Sequence, residues 1–85
     1  MKVKNKMFED LEKEIKRGIG QRLKAVRLRE KKTLTDIANM YSKERGVEPI
    51  SHSIIQTYED SSAPYHYVLW VHKTFPVDLH WLLLG

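Results

Sequence analysis

Three observations on the 85-residue chain predict an all-α fold: apolar residues recur every three or four positions, helix-capping residues punctuate that pattern, and no stretch alternates with the period of a strand. A chain of this length encloses one hydrophobic core, so a single compact domain is expected. Its 41% apolar and 31% charged residues are those of a water-exposed globular domain. The absence of cysteine removes disulfide scaffolds, thiolate metal sites and thiol catalysis together.

The first helix is carried by Phe8, Leu11, Ile15, Ile19, Leu23 and Val26, whose spacing places them along one side. Gly18 and Gly20 interrupt the pattern, each costing about 1 kcal/mol relative to Ala, which predicts two helices or one kinked helix with the break near Gly18. Thr33 opens the next helix, because its hydroxyl accepts an orphan backbone N–H while Asp36, three residues on, completes a capping box. Ile37, Ala38 and Tyr41 face inward. The helix stops at Arg45: Lys43 and Arg45 suit its negative end, Gly46 suits the left-handed residue beyond it, and Pro49 prevents resumption.

Ser51 caps a third, short helix, with Ile50 before it and Ile55 at the fourth helical position forming a hydrophobic staple. Ile55 and Tyr58 share one face, and His52, Ser53, Gln56 and Thr57 fall on the opposite one. Residues 60–64 are a turn by composition. Tyr65, Val68, Leu69 and His72 mark a fourth helix that Pro76 ends, and Leu79, Trp81, Leu82 and Leu83 mark a fifth.

Charge is unevenly spread. Of fifteen Lys and Arg, twelve lie in residues 1–32 with five acids, a net +7, whereas residues 33–85 carry a net −3, so the whole chain has a formal charge of +4. An anionic partner is permitted, and its contact surface is expected to be mainly N-terminal. No apolar run reaches the roughly 18 residues needed to span a bilayer, and the basic start lacks the apolar stretch of a signal peptide. A cytoplasmic location is the expectation.

Residues 19–38, from Ile19-Gly20-Gln21-Arg22-Leu23-Lys24 to Ile37-Ala38, resemble the opening of the lambda-repressor-like helix-turn-helix domains, the Cro/CI or XRE family. Residues 50–59 resemble that family's recognition helix, and residues 77–85 resemble the closing segment of phage CI-type repressor DNA-binding domains. The resemblance implies a compact five-helix lambda-repressor-like domain over residues 18–85, with an extended second helix and turn, preceded by a basic arm and amphipathic helix over residues 1–17. Between Ala38 and Ile50 the chain carries about seven residues more than the family pattern. Leu34 replaces a Gln that often contacts phosphate, Lys31 replaces the usual turn Gly, and Lys32 a usual Leu.

On this resemblance the third helix enters the DNA major groove and His52, Ser53, Gln56 and Thr57 contact bases. Gln56 matches adenine N6 and N7, His52 can donate to guanine O6 or N7, and the Thr57 methyl suits a thymine methyl. Taken alone, the same face reads as an ordinary solvated helix face. Phosphate contacts are expected from Gln21, Arg22, Ser51, Lys43 and Arg45, and from the arm residues Lys2, Lys4 and Lys6. Lys24, Arg27 and Arg29 are expected to be solvated cations.

His66, His72 and His80 lack metal-ligand spacing, and no nucleophile or paired-carboxylate constellation appears, so neither an enzyme nor a metal or cofactor is expected. Tyr65, Tyr67, Trp70, Phe75 and Trp81 sit at helical spacing and suit a core or dimer contact better than base stacking. The implied function is a sequence-specific double-stranded DNA-binding regulator, a phage or prophage repressor acting as a homodimer on a palindromic operator, with no small-molecule substrate and no membrane partner. The apolar end from Leu79 to Leu84 is the expected self-association surface. The alternative is the antitoxin of a toxin–antitoxin pair, whose stripe Phe8, Leu11 and Ile15 docks a partner helix.

Overall fold

The computed structural model describes residues 6–85 as five helices, with no strand among the described residues. They are α1 (Lys6–Arg29), α2 (Leu34–Arg45), α3 (His52–Asp60), α4 (Tyr65–Thr74) and α5 (Leu79–Leu84). Among the described residues, no helix is long and apolar enough to cross a membrane.

α1 departs from the expectation of a break near Gly18: it runs 24 residues without interruption through both glycines. Twenty-two better helix formers outweigh two glycines, and Gly20 has a tertiary reason to be there. A Cβ at Gly20 would stand 2.1 Å from the Glu59 carbonyl oxygen, so only glycine lets α1 and the end of α3 approach this closely. Gly18 is looser, with the tip of the Arg22 side chain 3.2 Å from the same construction.

The α1–α2 turn contains Lys31 at φ 58°, a left-handed conformation that glycine adopts without strain. The Thr33 hydroxyl then accepts the Asp36 N–H at 3.0 Å, and the Asp36 carboxylate accepts the Thr33 N–H at 2.9 Å. These hydrogen bonds hold the exposed Asp36 carboxyl below the usual aspartate range, the Thr33 backbone bond contributing most.

α2 ends where expected, at Arg45. Gly46 is left-handed at φ 68°, its N–H donates to the Lys43 carbonyl, and the Val47 N–H reaches back to that of Ser42. The longer connection to α3 is pinned by a residue that sequence reading passed over. Ser42 is buried, and its hydroxyl accepts the Ile50 N–H at 2.9 Å. Asp78 caps α5 by accepting the Trp81 N–H at 2.9 Å.

The core joins Leu23 and Val26 of α1, Ile37, Ala38 and Tyr41 of α2, Ile55 of α3, Tyr67, Val68, Trp70 and Val71 of α4, Phe75 and Val77 of the following turn, and Leu82 of α5. Its aromatic part is a chain of edge and tilted contacts: Tyr58 to Tyr67 at 4.8 Å, Tyr67 to Tyr41 at 5.1 Å, Tyr41 to Trp70 at 5.1 Å. Burial pushes the Tyr67 phenol well above its ordinary pKa. Tyr65 and Trp81, by contrast, remain exposed. So do Phe8, Leu11 and Ile15.

Candidate nucleic-acid interface

α3 is short, and its geometry is fixed from beneath. Ile55 is fully buried, and Glu59, four residues on and therefore on the same face, is buried beside it. Its carboxylate accepts two bonds from Arg27, Nε to Oε2 at 2.7 Å and Nη2 to Oε1 at 3.0 Å. The third arm of that guanidinium, Nη1, donates to the Lys32 carbonyl at 3.1 Å. With side-chain exposures of 11% and 3%, this ion pair is screened little by water, and the Glu59 bond pushes the Arg27 pKa up further. The expectation that Arg27 is a solvated cation is therefore corrected: it ties α1 to α3 across the core edge. Helical spacing from Ile55 was the sequence signal that put Glu59 on the inward face.

The opposite face of α3 carries His52, Ser53, Gln56 and Thr57, all exposed, with the exposed Ile54 beside them. Ser51 is the N-cap, its hydroxyl oxygen accepting the Ser53 N–H at 3.1 Å and lying 2.6 Å from the Ser53 hydroxyl. The Thr57 hydroxyl donates back to the Ser53 carbonyl at 3.0 Å. That bond fixes the Thr57 rotamer. The remaining chemistry of the face is an amide, an imidazole and a methyl group, which together offer hydrogen-bond donors, acceptors and apolar contact without a fixed charge.

The cations expected at phosphates are placed unequally. Arg22 donates from Nε to the Leu82 carbonyl at 3.0 Å and from Nη2 to that of Leu83 at 3.1 Å, so it satisfies the carbonyls of α5. Arg45 donates from Nη1 to the Tyr41 hydroxyl at 2.9 Å with its guanidinium 5.4 Å from the ring centroid. Tyr41 in turn bonds His66 Nδ1, which stacks beside it. Gln21 and Lys43 are exposed. Lys2 and Lys4 lie outside the described residues, and Lys6 opens α1.

The histidines are dispersed in role. The His72 ring donates from Nδ1 to the Val77 carbonyl at 2.6 Å and closes the turn after α4, His66 is joined to Tyr41, and His52 and His80 are exposed. No group of three potential metal-binding side chains occurs among the described residues. No protein-family model, curated protein or solved structure matches the chain.

Proposed function

We propose that this protein is a sequence-specific double-stranded DNA-binding regulator that presents α3 to the major groove and acts as a dimer on a palindromic operator, in the manner of the lambda-repressor-like domains its sequence resembles. The observation that supports this most is the outward face His52, Ser53, Gln56 and Thr57 on a helix whose other side is anchored by Ile55 and the Arg27–Glu59 pair. Such an anchored face meets the demand that base-reading groups be held rigidly. It performs recognition rather than catalysis, and no bound cofactor enters the reading. Repression follows if the bound dimer occludes the promoter from polymerase.

Binding to a randomised duplex library at two salt concentrations tests this. The expected result is one enriched palindrome, with half-sites about one helical turn apart and an affinity that falls steeply with salt. Gln56→Ala is expected to relax preference at one base pair, at a cost of about 1–3 kcal/mol. Equal weakening on every sequence would remove Gln56 from the reading role. A second reading, an antitoxin that also binds its own operator, is favoured by the exposed stripe Phe8, Leu11 and Ile15. Co-purification of a toxin from a neighbouring reading frame would support it.

A further inference from the structure

We propose that the groove between α1 and the end of α3, lined by Lys13, Lys16, Arg17, Asp60, Ser61 and Ser62, seats the sugar–phosphate backbone of duplex DNA at the edge of the major groove that α3 enters. This rests on the DNA-binding reading and adds residues to its contact surface. Arg22 is bonded to the carbonyls of Leu82 and Leu83, and Arg45 to the Tyr41 hydroxyl, so two of the cations expected at phosphates already hold partners within the protein. α3 itself carries no Lys or Arg. A helix in the major groove is held there largely by phosphate contacts beside it, so cationic donors must flank the α3 face.

Helical spacing puts the cations beside that face. Lys13, Lys16, Arg17 and Gly20 fall at i, i+3, i+4 and i+7 and so share one side of α1. Gly20 is where the Glu59 carbonyl of α3 comes closest, which sets the three cations about 5–11 Å along α1 from the helix contact. On α3, Ser53, Gln56 and Asp60 fall at i, i+3 and i+7 and are all exposed, so the row that presents Ser53 and Gln56 runs into the groove at Asp60. That row is about 10 Å long and the major groove about 12 Å wide, so what continues it lies over the sugar–phosphate strand instead of the bases. Lys13 and Arg17 are exposed and form no ion pair among the described residues. Lys16 pairs with Glu12 at 3.2 Å, but both side chains are exposed, so a phosphate replaces that partner at little cost. Three cations against the Asp60 carboxylate leave the groove at a formal +2. The negative end of α3 lowers this by about half a charge, and the Ser61 and Ser62 hydroxyls add neutral donors for phosphate oxygens.

Equilibrium binding of the full chain to a duplex of the enriched sequence and to a scrambled duplex of the same length, measured from about 50 to 200 mM salt, tests the proposal. Lys13→Gln and Arg17→Gln are each expected to make the slope of log affinity against log salt shallower by about 1. Each is expected to weaken both duplexes by the same factor, about threefold to tenfold at the lower salt, with base preference unchanged. Their thermal melts are expected to match the wild type, because both side chains are exposed. Asp60→Asn removes the repelling carboxylate from the same groove and is expected to tighten both duplexes by about threefold. Lys73→Gln, at an exposed cation of α4, is expected to change neither affinity nor slope. Unchanged slopes in Lys13→Gln and Arg17→Gln with the operator still selected overturn the proposal and leave the DNA-binding reading standing. Shallower slopes on the scrambled duplex with no operator enriched support the backbone contact and remove the sequence-specific reading. Losses confined to a single-stranded oligonucleotide overturn the duplex assignment, and a chain that binds neither duplex overturns both readings.

Discussion

Gly20→Ala tests how the α3 face is held. In an exposed helix interior this change stabilises by about 1 kcal/mol, because alanine is the better helix former. Here the new methyl would lie 2.1 Å from the Glu59 carbonyl oxygen, whereas ordinary contact begins near 3.4 Å, so α1 and α3 must separate by about 1.3 Å. The obstacle is backbone, which cannot rotate away. Separation also loosens Leu23 and Val26 against Ile55 and stretches the bonds from Arg27 to Glu59. Overpacking of this kind costs about 1–3 kcal/mol, and opening the core adds to it, so a net loss of about 2 kcal/mol is expected. Gly18→Ala is the control. Its methyl meets only the mobile tip of Arg22 at 3.2 Å, so the propensity gain dominates and stability is expected to hold or rise by up to about 1 kcal/mol. Urea denaturation of both variants, compared at constant m-value, reads the two signs. A Gly20→Ala protein as stable as its Gly18→Ala counterpart would refute the close approach of α1 to α3.

Arg27→Met strands the buried Glu59 carboxylate and is expected to destabilise by about 3–5 kcal/mol in chemical denaturation, while Arg27→Met combined with Glu59→Leu loses clearly less, because no unpaired charge remains. Lys31→Gly relieves the left-handed backbone at φ 58° and is expected to raise the unfolding free energy from urea denaturation by about 1 kcal/mol, less whatever entropy the unfolded chain gains. Arg22→Ala removes two donors from the α5 carbonyls, so a stability loss of about 1–2 kcal/mol is expected, measured by thermal melting. Asp36 has a folded-state pKa below its unfolded value, so its capping contribution is fully present above the unfolded value and disappears as pH falls through the folded one. Melting curves taken between about pH 5 and pH 2 should fall less steeply for Asp36→Asn than for the wild type.

The chain's local features act over three or four residues, and these are legible in the sequence. Thr33 with Asp36, Gly46 at the end of α2 and Ser51 at the start of α3 form hydrogen bonds to backbone that sequence alone brings within reach. The outward placement of His52, Ser53, Gln56 and Thr57 was equally legible, because helical periodicity sets direction once Ile55 is known to be buried. Three other features were decided only by the tertiary structure. Gly20 lets α1 run close to the end of α3, Arg27 is paired with Glu59, 32 residues away, and Arg22 is joined to Leu82, 60 residues away. A guanidinium in a basic stretch looks the same in sequence whether water, phosphate or a distant carbonyl holds it. Only the packing of helices against one another chooses among them, since it determines which donors lose their water and must find a partner inside the protein.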